Sequence, residues 1–259
     1  MNKIILIIFT LTTCIGHSQT NTGTVHYGEI QSMGMGAPVG TDMRGVLIFD
    51  NTRSLYITRQ DSLEGGHISE QRKYSTSSGG GFSKTVSTNQ LGFRYYNDLK
   101  GKKFYSRDLG FMYVKEETPK IRWEMSKETK LIGEHTAKKA TTEFRGRKYT
   151  AWFTTDIPLP YGPWKLQGLP GLILEAYDTN KEIYWYFKTL EYPSKHGHLL
   201  KPIENKSGWV NQQEYAKTLF EAWKNAQVGG RMVAESIGVS RQERPNTSML
   251  RTYIEDFSR

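Results

Sequence analysis

The sequence predicts a mainly β protein: a curved antiparallel sheet or half-open barrel of about ten to twelve strands, with C-terminal helices covering it. Three observations lead there. Between residues 23 and 190, runs rich in Tyr, Phe, Trp, Val, Ile and Thr alternate with short turn signals, as paired strands do. Residues 155–174 crowd prolines and glycines into this meander yet stay too apolar for a free loop. After residue 204 the apolar positions fall at helical spacing. No repeat of fixed period is visible, which sets aside a propeller or solenoid.

The first residues read as an export signal. Lys3 gives a positive start, residues 4–13 are apolar and uncharged, and Gly16-His17-Ser18 places small residues where a signal peptidase reads. The signal peptide is therefore 1–18, and the mature chain begins at Gln19. The apolar run is about half the ~20 residues a membrane-spanning helix needs. No later segment is longer, since Pro158, Pro160, Pro163 and Pro170 break residues 155–174. The mature chain is expected in the periplasm, at the outer membrane or outside the cell, with no transmembrane segment. Cys14 is the sole cysteine, and Leu11-Thr12-Thr13-Cys14 loosely resembles a lipoprotein cleavage site, although Thr13 is bulkier than the usual residue. The favoured cut removes Cys14 and leaves neither a thiol for catalysis or metal binding nor a disulfide.

What remains reads as one domain over 19–259, with a β meander at 22–203 and a helical region at 204–259. The formal charge of +9 would suggest nucleic acid in a cytoplasmic protein. Export excludes that partner and points instead to anionic lipid head groups, acidic glycans or acidic partner loops.

Four hairpins are legible. Residues 45–49 and 55–58 flank Asp50-Asn51-Thr52-Arg53, and 93–96 and 103–105 flank Asp98-Leu99-Lys100-Gly101. Residues 138–144 and 148–154 flank Arg145-Gly146-Arg147, and 172–176 and 183–189 flank Asp178-Thr179-Asn180-Lys181. Two Gly-rich segments, 34–40 and 64–90, are expected to be loops or partly disordered. Asn211-Gln212-Gln213-Glu214 is a capping box opening a helix that Gly229-Gly230 should end near residue 227. A second helix is expected over 247–257, with Leu250, Tyr253, Ile254 and Phe257 on one side.

Residues 158–171 cannot continue a ladder, because four prolines lack the amide donor and Gly162, Gly168 and Gly171 loosen the chain. The chain must leave the sheet and return. Trp164, Leu166, Leu169, Leu172, Ile173 and Leu174 require this excursion to pack on the sheet, either as a plug or as a lid over a ligand. Gly168 and Gly171 would permit positive φ or close backbone approach around Leu169-Pro170.

The run Gly168, Leu169, Pro170, Gly171, Leu172, Ile173 resembles the motif after which the GLPGLI family is named. Residues 130–140, 144–153 and 157–158 are similar to its glycine turn, basic strand and Trp-containing strand, so the likeness is specific over about 123–192. It implies an exported, strand-rich envelope protein with no established activity, encoded near outer-membrane receptors.

The architecture also resembles exported half-barrels that carry lipoproteins. Tyr184 and Tyr186 alternate with Trp185 and Phe187, so both faces of that strand are aromatic and each needs packing or a ligand. Trp152, Phe153, Trp164, Leu169, Trp185 and Phe187 are the candidate contacts for an apolar, lipid-like or extended peptide ligand. The alternative is a partner subunit of an outer-membrane receptor or assembly complex, and a third reading is a hydrolase or metalloenzyme without a recognised signature.

Enzyme signals are poor. Phosphate-loop, serine-elbow and zinc-helix motifs are absent, and Gly34-Met35-Gly36 lacks the third glycine of a dinucleotide fingerprint. His196-Gly197-His198 lacks an evident third ligand, and Met33, Met35 and Met43 suit edge packing better than copper. Glu116, Glu117 and Asp156 need a partner and a pocket before they can act as acid or base. No catalytic residue, metal or cofactor is assigned.

Overall fold

The computed structural model describes residues 22–40, 42–64, 69–75, 81–87, 92–108, 112–206, 208–236, 248–251 and 253–257. The expected signal peptide, Cys14 and the expected start at Gln19 lie outside the described residues. Fourteen strands are described: β1 Gly23–Gln31, β2 Val46–Phe49, β3 Arg53–Ile57, β4 Ser69–Ser75, β5 Gly81–Ser87, β6 Arg94–Asp98 and β7 Lys103–Asp108. They continue with β8 Met112–Glu117, β9 Glu124–Ile132, β10 His135–Phe144, β11 Arg147–Thr154, β12 Leu172–Asp178, β13 Ile183–Glu191 and β14 Val210–Asn211.

Twelve of them form one sheet in the order β14-β8-β7-β6-β3-β2-β1-β13-β12-β11-β10-β9. Every described pairing in it is antiparallel except β14 on β8, and the sheet does not close into a barrel. The two ends of the sheet nevertheless stay close. The segment 118–123 leads from β8, near one edge, directly to β9 at the other, and a chain reaches at most ~3.6 Å per residue.

All four expected hairpins form, as β2–β3, β6–β7, β10–β11 and β12–β13. Their turns carry local chemistry. Asp50 Oδ1 accepts from the amides of Thr52 and Arg53 at 2.8 and 3.0 Å. At the β10–β11 turn, Arg145 and Gly146 both have positive φ, 51° and 80°, the turn that matches strand twist.

Strand alternation divides the core between two faces. The inner, concave face gathers Val25, Tyr27, Leu47, Phe49, Tyr56, Tyr95, Tyr149, Phe153 and Trp185 around the excursion. On the outer face, Val46, Ile48, Leu55, Ile57 and Tyr96 are covered by Leu200 and Ile203, with Trp209 edge-on to Tyr105 and Tyr113. A helix, α1 Gln212–Ser236, packs through Tyr215 and Leu219 against Val114 of β8 and Met249. Its capping box forms as expected: Asn211 Oδ1 accepts from the Glu214 amide at 2.9 Å, and Glu214 accepts from the Asn211 amide at 3.0 Å.

Three expectations are corrected. The segment 64–90 is not all loop: β4 and β5 make a separate two-stranded sheet that sets Tyr74 opposite Phe82, with the glycine-rich residues between them outside the described residues. Helix α1 runs through Gly229 and Gly230 to Ser236, since interior glycine costs only about 1 kcal/mol against alanine and need not stop a helix. The described part of 247–257 is no second helix; Met249–Arg251 is one 3-10 turn, followed by an irregular tail. The tail is fixed by tertiary bonds. Arg147 donates to the carbonyls of Leu250, Tyr253 and Ile254, and the Asp256 amide donates to the Arg145 carbonyl.

The edge strand β9 is mostly exposed, with Met125 and Leu131 standing out. Its register against β10 slips around residues 126–128, where Ser126 Oγ accepts from the Glu128 amide. Such an irregularity, flanked by Lys127 and Lys130, blunts an edge against strand addition. No described helix is long and apolar enough to cross a membrane.

Candidate functional site

The excursion between β11 and β12 turns inward and fills the concave face. Its own turns hold it: the Gly168 amide donates to the Pro160 carbonyl at 3.0 Å, and the Leu172 and Ile173 amides to Ile157 and Tyr161 at 3.0 and 2.9 Å. The sheet grips it from several sides. Tyr27 donates its hydroxyl to the Ile173 carbonyl at 2.5 Å, where the excursion rejoins the sheet as β12; Asn97 of β6 donates to Gln167 at 3.0 Å, and the Trp123 indole, just before β9, donates to the Gln167 carbonyl at 2.8 Å. Gln167 in turn donates to the Pro119 carbonyl at 2.6 Å.

The two motif glycines are needed for different reasons. Gly168 has φ +91° with open space where a side chain would stand, so its backbone alone demands glycine. Gly171 lies so close to β11 that a Cβ would sit 2.0 Å from the Thr154 carbonyl oxygen. Leu169, Leu172 and Ile173 are buried, while Pro170 is exposed.

At the tip, Trp164 is buried in the left-handed region, φ 55°, a costly place for a bulky side chain. That backbone turn lays its indole on Trp185, with centroids 6.0 Å apart and planes 12° from parallel. The next residue, Lys165, enters the core at 1% exposure. Its ammonium lies 2.7 Å from Glu255 of the tail, 3.4 Å from Glu116 of β8 and 3.7 Å from Asp108 of β7. Arg145 pairs with Glu116 at 2.6 Å, and Tyr95 and Ser106 donate to Asp108 at 2.8 and 2.6 Å. Burial works against the charged lysine, but Glu255, Asp108 and Glu116 outweigh it and hold its pKa above the ordinary value. Burial raises Glu255, against the pull of Lys165. A protonated lysine is a poor nucleophile, so this cluster is a lock joining excursion, sheet and tail.

A second buried acid sits on the same face. Glu29 accepts from Tyr56 at 2.7 Å and from Gln31 at 2.6 Å, and burial raises its pKa to about 7 despite those bonds.

Beside the plug an open cleft of about 1080 Å³ remains, where the sheet fails to close. Its walls are the β6–β7 turn, the end of β8 with residues 118–121, the Phe144–Arg145 turn, Gln167–Gly168, and residues 211–213 at the start of α1. It lies at the upper end of the volumes usual for ligand pockets, roughly 300–1,000 Å³.

Among the six aromatic and apolar candidates, Phe153, Trp164, Leu169 and Trp185 meet in the inner core. Phe187 packs at its margin, edge-on to His135 at 6.2 Å. Trp152 is on the opposite face, under the Lys130 ammonium at 4.4 Å. There it begins a strip with Tyr177, Tyr184 and Tyr186, whose rings meet at 5.9 and 5.2 Å. Lys181 stands over Tyr177 and Tyr184, and Lys188 over Tyr186.

The polar candidates scatter. Asp156 accepts from His135 at 2.8 Å, His196 stands 3.7 Å from Glu191, and Glu117 pairs with Lys103. Met35 is exposed and Met33 packs on the core margin. Among the described residues no three His, Cys, Asp or Glu side chains are grouped to hold a metal. Sequence reasoning missed Lys165, Glu255, Asp108 and Glu29. Only Lys165 carried a signal, as a lone charge inside an apolar run.

A family model described as "Protein of unknown function (Porph_ging)" matches residues 141–175, which span the end of β10, all of β11, the whole excursion with its Gly-Leu-Pro-Gly-Leu-Ile motif and the start of β12. No curated protein matches the chain. Among solved structures, one described as "Structure of PNGF-II in P21 space group" is similar at TM-score 0.49 and 14% identity, over 76% of this chain and 32% of that one. A second, described as the C2 space group of the same protein, gives 0.48 and 13%, over 74% and 31%. The chain thus spans about a third of the length of either structure it is similar to.

Proposed function

We propose that this chain is an exported binding or accessory protein of the cell envelope, acting in the periplasm or at the outer membrane, and that its partner enters the cleft where the sheet stays open. The observation that carries this reading is the filling of the concave face by the chain's own excursion. Trp164 and Trp185, which could have lined a site for an apolar ligand, are stacked on each other. An apolar ligand in the interior would have to expel a buried excursion with its ion cluster, whereas the cleft needs no displacement. Binding suits this arrangement, because Lys165 is locked among Glu255, Glu116 and Asp108 and keeps its proton.

Photo-crosslinking in the native host tests the reading. A photoreactive residue at Lys120, on the cleft rim, is expected to give a discrete adduct with another envelope protein, while the same group at Lys188 on the outer face gives none. Bound lipid in native mass spectra of the purified protein, with no adduct from position 120, would return the function to the concave interior.

A further inference from the structure

We infer that the cleft takes an extended acidic segment of a partner protein, with acidic and apolar side chains alternating. This rests on the cleft being the binding site. The charges that line it are Lys102, Lys115, Lys120, Arg145, Glu116 and Glu117. The carboxylates among them are already neutralised, Glu117 by Lys103 and Glu116 by Arg145 and Lys165. Lys115 places its ammonium over the Tyr105 ring, 5.6 Å from the centroid. Lys102 and Lys120 are exposed on the rim, and neither side chain pairs with a carboxylate among the described residues. The rim therefore carries cations in excess, and an anionic partner would supply their missing charges.

The walls say what kind of anion. Leu99, Ile121 and Phe144 present half-buried apolar surface, and Gln212 and Gln213 offer amides that can both donate and accept. A saccharide would need a free aromatic face. Phe144 has none to give, since its ring meets Trp164 at 5.7 Å and lies under the Arg145 guanidinium at 5.3 Å. An extended peptide fits better, because its side chains point alternately to opposite sides, one set to the lysines and the other to the apolar wall.

Fluorescence anisotropy with short labelled peptides of alternating Glu and Leu, Ser and Leu, or Lys and Leu tests this on the full mature chain. The Glu peptide is expected to bind at least about tenfold more tightly than the Ser peptide, to weaken as salt rises, and to leave the Lys peptide unbound. Lys102→Glu with Lys120→Glu should erase the preference, with an unchanged melting curve showing the fold intact. Equal binding of all three peptides would overturn the acidic partner and leave the cleft as the site. Binding of an acidic oligosaccharide but of no peptide would overturn the peptide. No binding of any probe, with lipid found on the purified protein, would sink the cleft reading as well.

Discussion

Strands β11 to β13 carry aromatic residues on both faces, and the two faces meet different fates. On the inner side Tyr149 and Trp185 meet Trp164 of the excursion, Phe153 joins the same core, and Trp185 is wholly buried. On the outer side Trp152, Tyr177, Tyr184 and Tyr186 meet one another and the ammonium groups of Lys130, Lys181 and Lys188, and Tyr186 donates its hydroxyl to Asp42. The same alternation of large rings thus produces a core on one side and a lysine-capped surface on the other. Over β11 to β13 the described residues supply a covering segment to the inner face only, while the segment with Leu200 and Ile203 covers the outer face farther along, at β2, β3 and β6. An aromatic strand is therefore no guide to a ligand until the chain's own covering segment has been placed.

The sharpest way to break this comparison is to attack the inner face at its charge lock. Lys165→Met leaves Glu255, Glu116 and Asp108 buried without their central cation, and removing one partner of a buried ion group costs about 3–5 kcal/mol. Denaturant melts should show a loss of that size, with part of it restored by adding Glu255→Gln. A change below about 1 kcal/mol, the range of exposed ion pairs, would mean the lock is solvated.

The inner face should also make stability depend on pH. Glu29 titrates near pH 7 in the fold, against 4.5 unperturbed, so the folded state holds its proton more tightly. Its stabilising contribution is complete below about pH 4.5 and is lost as pH rises through 7, a fall on the order of 3 kcal/mol by linkage. Glu29→Gln should flatten that part of the curve and stabilise the protein at pH 8. An unchanged slope in the variant would show that Glu29 is not the group responsible.

The motif glycines separate steric from backbone demands. Gly171→Val drives a side chain into the Thr154 carbonyl and should cost about 2–3 kcal/mol. Gly168→Val meets no neighbour and bears only the positive-φ cost of about 1–2 kcal/mol. Thermal melts that rank them the other way would contradict the close approach at Gly171. On the outer face the effect should be smallest: Tyr184→Ser removes ring contacts worth less than about 1 kcal/mol and should leave the melt nearly unmoved. A loss as large as that of Lys165→Met would erase the distinction between the faces.

These effects track how legible each feature is in the sequence. The four hairpins and the capping box were readable because their chemistry is local, as at Asp50-Asn51-Thr52-Arg53 and Asn211-Gln212-Gln213-Glu214. The departure at 158–171 was readable too, since four missing amide donors cannot sit in a ladder. Its direction was not. The groups receiving Lys165 lie at positions 108, 116 and 255, and no spacing rule links residues that only the closed fold assembles. Trp164 at positive φ breaks a local preference for the sake of its stack on Trp185, so propensity pointed the wrong way there. The tail at 253–257 had helical spacing, but Arg147 takes its carbonyls instead.

The excursion is part of the core, not a lid. Native-state hydrogen exchange at the amide of Gly168, and at those of Leu172 and Ile173 at the start of β12, distinguishes the two, because each donates to a carbonyl of the excursion. A plug predicts that these amides exchange only with global unfolding, at the same free energy as β11 and β12. Exchange through a local opening of much lower free energy, while β11 and β12 stay protected, would contradict the account and make the excursion a lid.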